Sequence, residues 1–519
     1  MTTTPGRQDS GPAVPARPAR LAGHDRRAFL RALGLGATGV SIGGVGWLAA
    51  CGGGSGDPAG DRPRGEGATA TVPAHDPSRP YWEQGNFAPV STEETVTDLQ
   101  VTGAIPPELS GLFVRNGSNP PSGTSAHWFL GDGMIHGVRL ERGRAAWYRN
   151  RYVRTPLSEA GRDILDFGGV PGRQNNQSNV ALTHHAGKLL SLGEVGWPFQ
   201  LRTDDLSTVG PWNFDGKLGD TMTAHPKTDP VTGRLHFFGY EFLRPALTYY
   251  AADPGGRIDV VSPIAVDVAT MVHDFAITDR DAVFWIGPVV FGPDPSSAYP
   301  DIPFHWDPTG PCRVGVMPLD GPGDRIRWVD VPPCFVFHGL NAHREGDEVV
   351  LRVHKLAEAF GPQGDLVPSH LTEWRIGTGG DRLTFAERPL NDRAMDLPTH
   401  DRRHTGRPTR HGWFTTTSPP SSEHGFELAG ICHVDLRSGR EDMWDPGPDV
   451  RSGEGFFVPG DTGEGEGWVL TYIWDRTSNR SALGIFDAQA MREGPIARVE
   501  LPVRVPFGFH GLWIDEADL

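Results

Sequence analysis

Apolar residues in this chain occur in short alternating or continuous runs, and turn signals separate the runs. Val180-Ala181-Leu182-Thr183 and Lys188-Leu189-Leu190-Ser191 flank His185-Ala186-Gly187. Phe275-Ala276-Ile277 and Val283-Phe284-Trp285 flank Thr278-Asp279-Arg280-Asp281. Val349-Val350-Leu351-Arg352-Val353 follows the polar stretch Arg344-Glu345-Gly346-Asp347-Glu348, and Ile431-Cys432-His433-Val434 precedes Arg437-Ser438-Gly439-Arg440. Runs of this length and spacing predict antiparallel hairpins. A 3.6-residue apolar period is almost absent, so the chain reads as an all-β meander, with only short pieces such as Ala488-Gln489-Ala490-Met491 as helical candidates. Successive hairpins fit the four-strand blade of a β-propeller, but no fixed-period repeat is visible from which to count blades.

The composition agrees with many turns and short strands: 68 Gly and 47 Pro in 519 residues, with 22% charged. That length would suggest about three domains, yet propellers run long as single units, and no internal boundary follows residue 80. Residues 81–519 are therefore expected to form one propeller. The first 80 residues differ. Arg26-Arg27 precedes an uncharged, Gly-rich apolar stretch ending in Leu48-Ala49-Ala50-Cys51. This is similar to a twin-arginine export signal with a lipobox over residues 1–50, in which Cys51 takes the lipid after cleavage. Residues 32–50 are long enough to span a membrane, but six of those 19 are Gly, which suits a cleavable segment better than an anchor. Residues 51–80 are rich in Gly, Pro, Asp and Ala without periodicity and read as a flexible tether. The expected location is the outer face of the cytoplasmic membrane, held by a lipid.

Charge narrows the partners. The net charge of −16 becomes −20 once the first 50 residues, with six Arg and two Asp, are set aside. A body of that sign disfavours nucleic acid and anionic lipid, so membrane association must rest on apolar contact or a covalent lipid. The four cysteines, Cys51, Cys312, Cys334 and Cys432, include no CxxC pair and indicate neither a zinc ribbon nor a disulfide framework.

The candidate chemistry lies in four histidines set in apolar, extended-looking segments. They are His225 in Thr221-Met222-Thr223-Ala224-His225-Pro226, His273 in Met271-Val272-His273-Asp274-Phe275, His338 in Phe335-Val336-Phe337-His338-Gly339-Leu340-Asn341, and His510 in Val505-Pro506-Phe507-Gly508-Phe509-His510-Gly511-Leu512. One such histidine is most often a hydrogen-bonded core residue. Four can meet on one metal. Gaps of 48, 65 and 172 residues exclude a finger or a helical His pair, so tertiary structure would have to assemble the site. Neutral imidazoles without Cys favour Fe, Cu, Ni or Zn over Ca or Mg, and ligand type alone does not choose among them.

These four segments, with Gly111-Leu112-Phe113-Val114-Arg115-Asn116-Gly117 and His127-Trp128-Phe129-Leu130-Gly131-Asp132-Gly133-Met134-Ile135-His136-Gly137, resemble the carotenoid oxygenase (carotenoid cleavage dioxygenase) family, which includes the lignostilbene dioxygenases. The resemblance runs from about Tyr81 to the C-terminus. It implies a seven-bladed propeller with ferrous iron on its axis, bound by His225, His273, His338 and His510. It also places Glu194 beside His273, Asp396 beside His338 and Glu454 beside His510, each carboxylate fixing an imidazole tautomer. The family usually has Glu at all three places, so Asp396 is one methylene short. The implied reaction is oxidative cleavage of a conjugated C=C bond of a carotenoid or apocarotenoid with O2, giving two carbonyl products and using no side-chain nucleophile. Trp128, Phe129, Trp197, Phe199, Phe335 and Phe509 are candidates for lining an apolar tunnel, though most such residues are blade core. Cleavage of hydroxystilbenes is the alternative within the family, and a non-catalytic propeller scaffold is the alternative outside it. Stilbene cleavers typically supply a Lys and a Tyr that this chain lacks, with Leu157 near the place of the Lys.

Overall fold

The hairpins pair in chain order into a ring. The computed structural model describes residues 72–519, except 163, 165–171, 243, 293–296, 300–301, 303, 363 and 365–366. The expected export signal over 1–50, Cys51 and the tether as far as residue 71 lie outside these described residues. Among the described residues are seven sheets of four or more strands and one two-stranded hairpin. The seven sheets are the blades of a β-propeller.

Five blades are built from strands in chain order, each opening on a strand at one edge of its sheet: Ala181–His185 in blade 2, Lys227–Thr228 in blade 3, Phe275–Ile277 in blade 4, where the two-stranded hairpin is inserted, Phe335–Glu345 in blade 5 and Met395–Thr399 in blade 6. Blade 1 and blade 7 close the ring with both ends of the chain. Gly511–Asp515 pairs with Gly111–Arg115 at the inner edge of blade 1, and Gln100–Gly103 pairs with Ala497–Glu500 at the outer edge of blade 7. The last blade thus takes a strand from near the start of the body, and the first blade takes the last strand. Such closure leaves the ring no open seam at which a blade could peel away.

Burial explains why the middle strands read as continuous apolar runs. A blade is covered on both faces by its neighbours, so Leu247–Ala252 and Asp281–Ile286 are buried at every position. The outer strand Thr384–Pro389 is mostly exposed. Adjacent blades interlock through aromatics: Phe238 of blade 3 meets Phe275 and Phe284 of blade 4 edge to face, at ring separations of 5.3 and 5.7 Å. The predicted helical piece at residues 488–491 is instead a turn that leads into the 3-10 helix Met491–Glu493, because the strand Arg480–Asp487 runs up to it and leaves room for a single turn. Cys312, Cys334 and Cys432 are buried free thiols.

One buried ion network joins blade 6 to blade 7. Glu427 accepts from Arg451 Nε at 2.8 Å and from Arg476 Nη2 at 2.6 and 2.8 Å, and its side chain and that of Arg451 are buried. Removing the shared carboxylate leaves Arg451 buried without a counter-charge, which costs roughly 3–5 kcal/mol. Glu427→Ala should therefore lower the urea midpoint sharply, and an unchanged midpoint would show that the network is not a structural tie.

Candidate metal centre

Six of the seven chemistry-bearing side chains sit on or beside a strand at one edge of a blade. His225 precedes Lys227–Thr228 by two residues, His273 precedes Phe275–Ile277 by two, His338 lies inside Phe335–Glu345, and His510 directly precedes Gly511–Asp515. Blades 3, 4, 5 and 1 thus each bring one imidazole to the same place. Ring centroids are 4.5 Å apart for His225 and His273, 4.7 Å for His225 and His510, 4.8 Å for His338 and His510, and 5.2 Å for both His225–His338 and His273–His338. Ring nitrogens of His225, His338 and His510 lie within 4.8 Å of one another. His225 Nε2 and His273 Nε2 face each other at 3.0 Å.

The other three blades supply the carboxylates. Glu194 follows the strand Lys188–Leu192 of blade 2, Asp396 lies in Met395–Thr399 of blade 6, and Glu454 lies between Val450–Ser452 and Phe456–Pro459 of blade 7. His273 Nδ1 is 2.8 Å from Glu194 Oε2, His338 Nδ1 is 2.7 Å from Asp396 Oδ1, and His510 Nδ1 is 2.8 Å from Glu454 Oε1. An ionised carboxylate can only accept, so each imidazole donates from Nδ1 and keeps a lone pair on Nε2. His225 has no carboxylate partner among the described residues. The Thr223 hydroxyl holds its segment instead: it accepts from the His225 backbone N–H at 3.4 Å and donates to the His273 carbonyl at 3.1 Å.

Electrostatics disfavour protonation of His225 and His338 and act the other way at His273. Burial, reinforced by the neighbouring imidazoles, holds the His225 pKa well below the usual imidazole value. Burial also brings His338 down to about 4, against the pull of Asp396. At His273 burial opposes protonation, but the Glu194 carboxylate outweighs it and raises the pKa. Asp396 stays ionised despite its burial, because His338 and the Leu397 backbone N–H hold its pKa well below the usual range.

The backbone beside Asp396 is irregular. Strand pairing slips between Asp396 and Thr399, and Leu397 adopts a φ of +51°, in the left-handed region that a branched side chain rarely occupies. The shorter side chain reaches His338 directly. A second local irregularity sets the cavity wall. Pairing also slips between Val336 and Gly339, a bulge that breaks the alternation of the strand, and the successive residues Phe337 and His338 both face one cavity.

That cavity has a volume of about 400 Å³ and is lined mainly by apolar and aromatic side chains. His273, His338 and His510 form part of its wall. Of the expected tunnel aromatics, Trp128, Phe129 and Phe509 line it, whereas Trp197, Phe199 and Phe335 do not and pack in or against blade cores. Phe337 and Phe360 line it too, at ring separations of 6.0 and 6.1 Å from Phe129. Leu157 is fully buried in the helical turn Pro156–Glu159 and is not part of the wall.

Several residues that hold the centre together carry no signal in the sequence taken alone. Asp274 is buried, and its Oδ1 accepts from Lys227 Nζ and from the Phe275 N–H, both at 2.7 Å, while its Oδ2 accepts from the Gly339 N–H at 2.9 Å. It therefore ties together the segments that carry His225, His273 and His338. The motif residues away from the histidines have structural work. Asn116 exchanges backbone hydrogen bonds with Phe509 and His510, and its side chain donates to Ser178 and Ala181 carbonyls in blade 2. Asn179 Nδ2 pins the Trp128–Leu130 turn by donating to the Phe129 and Gly131 carbonyls at 2.9 and 2.7 Å.

Comparison with known proteins agrees with this geometry. A family model described as retinal pigment epithelial membrane protein matches residues 87–515. A carotenoid cleavage oxygenase of Mycobacterium tuberculosis is 37% identical over 510 residues, covering 85% of this chain and 99% of that protein. Among solved structures, a lignostilbene dioxygenase of Pseudomonas brassicacearum superposes with a TM-score of 0.76 at 28% identity, covering 86% of this chain and 100% of that one. A cobalt-substituted apocarotenoid oxygenase of Synechocystis superposes with a TM-score of 0.72 at 26% identity, over 84% of this chain and 98% of that one. The chain belongs to the carotenoid oxygenase family.

Proposed function

We propose that this protein is an iron-dependent dioxygenase that cleaves a conjugated C=C bond of a carotenoid or apocarotenoid with O2 and releases two carbonyl products. The observation that carries the proposal is the meeting of four imidazoles, three of them in the wall of an apolar cavity, in a chain related over most of its length to a carotenoid cleavage oxygenase. The donor set fits a metal. His338 Nε2 is buried without a hydrogen-bond partner among the described residues, and the 3.0 Å approach of His225 Nε2 to His273 Nε2 sets two ring nitrogens against each other where a shared cation would satisfy both. Four neutral nitrogens suit a borderline-soft first-row ion, and a related structure with cobalt in place supports that class. His225, His273, His338 and His510 would hold it, with Glu194, Asp396 and Glu454 fixing three of the rings. Ferrous iron in such a site supplies activation of O2. The protein's own residues hold the polyene against Phe129, Phe337, Phe360 and Phe509, exclude water and keep the imidazoles oriented. No acid, base or nucleophile is needed.

The wall also favours a polyene over a phenolic stilbene. Among its described residues there is no lysine, and Tyr81 is the only tyrosine. A hydroxystilbene needs polar groups to hold its phenol, whereas a carotenoid needs apolar area. The kinship with a lignostilbene dioxygenase keeps stilbene cleavage as the second reading.

We further propose that the chain is exported by the twin-arginine route and anchored through a lipid on Cys51. Among the described residues no helix is long and apolar enough to cross a membrane.

Three measurements check these proposals. Purified protein should hold about one iron per chain, and changing His273 and His510 together to Ala should abolish retention; iron bound equally well by the variant would refute the ligand set. Under O2 an apocarotenal should be cleaved faster than a 4-hydroxystilbene, with aldehyde products. The reverse order would move the substrate to the stilbenes, and no cleavage of either would favour a binding scaffold. Intact mass of the membrane fraction should correspond to a chain starting at acylated Cys51, and a chain starting at Met1 would exclude processing.

A further inference from the structure

The three carboxylates share one plan: one oxygen takes the imidazole Nδ1–H, and a donor on a different residue holds the other. Glu194 Oε1 accepts from the Tyr240 hydroxyl at 2.5 Å, and Glu454 Oε2 accepts from the Gly511 backbone N–H at 2.6 Å. At Asp396 the same place is taken by Ser369, whose Oγ lies 2.9 Å from Oδ2. Ser369 is buried at the start of the second half of blade 5, one residue before the strand His370–Gly377, and it lines the cavity. Its hydroxyl has one proton and two acceptors in reach, Asp396 Oδ2 and the Met395 carbonyl at 2.7 Å. The Met395 carbonyl already accepts the Nδ1–H of the fully buried His354, also at 2.7 Å. A charged oxygen is the stronger acceptor, so the Ser369 proton goes to the carboxylate.

We infer that Ser369 is a positioning residue for His338: it fixes the rotation of the Asp396 side chain, as the Tyr240 hydroxyl does for Glu194 and the Gly511 N–H for Glu454. The inference rests on the metal reading above. Without the hydroxyl, the donors that remain to Asp396 among the described residues, His338 Nδ1 and the Leu397 N–H at 2.8 Å, are both on Oδ1, and Oδ2 loses its anchor. A Glu at 396 would carry its carboxylate one methylene farther along the side chain, out of register with the Ser369 hydroxyl that meets Asp396 Oδ2 at 2.9 Å.

A double-mutant cycle tests this. Iron retention against a chelator is measured for wild type, Ser369→Ala, Asp396→Glu and the double variant, and urea unfolding of the same four proteins is measured after metal removal. Ser369→Ala alone should weaken retention by roughly tenfold, the scale of lost ligand-orienting contacts. In the Asp396→Glu background the same change should cost nothing or improve retention. An equal loss in both backgrounds, or no loss in the first, overturns the inference. If wild type itself retains no metal, the metal reading fails, and the metal-free cycle still decides: coupled stabilities uphold the Ser369–Asp396 contact, and additive ones overturn it.

Discussion

Four neutral imidazoles with their lone pairs turned toward one point repel one another and offer one another few hydrogen bonds. Holding them there is the constraint on which the rest of this structure depends. The rings are buried, so protonation does not relieve the crowding at His225 or His338. Orientation comes from outside the cluster, through Nδ1–H bonds to Glu194, Asp396 and Glu454 at 2.7–2.8 Å. The propeller divides this task around its ring. Blades 1, 3, 4 and 5 each contribute one histidine, and blades 2, 6 and 7 each contribute one carboxylate. Every blade is thus part of the centre, which ties the geometry of the site to the closure of the fold.

That dependence gives the closing strands a second meaning. The strand Gly511–Asp515 completes blade 1, and the residue immediately before it is His510. Asn116 clasps this junction from the neighbouring strand by bonding to Phe509 and His510. On the opposite side Asp274 joins the segments of blades 3, 4 and 5 that carry the other three histidines. The centre is built from elements distant in sequence, so few local changes could disturb one ligand without disturbing its neighbours.

Much of this is legible in the sequence, and the limits are physical. The hairpin pattern exposes the strands because buried blades read as apolar runs, but blade number has no local signal where blade lengths vary. The four histidines stand out through their apolar surroundings, and their ligand partners emerge only through family likeness. Its place in the His338 segment points to Phe335 as a wall residue, yet it is Phe337 that the bulge between Val336 and Gly339 turns to the cavity beside His338. Asp396 meets His338 beside a left-handed Leu397, a conformation that nothing in a leucine foretells. Ser369 and Asp274 escape notice for a related reason: a serine and an aspartate among many gain meaning only from what faces them across blades.

The central claim is that the four imidazoles form the first coordination sphere of one iron. X-ray absorption at the iron edge of the purified protein tests it most directly. The account predicts a shell of four nitrogens with the outer-shell scattering of four imidazole rings. A shell containing sulfur, or one with two or fewer imidazoles, would contradict it.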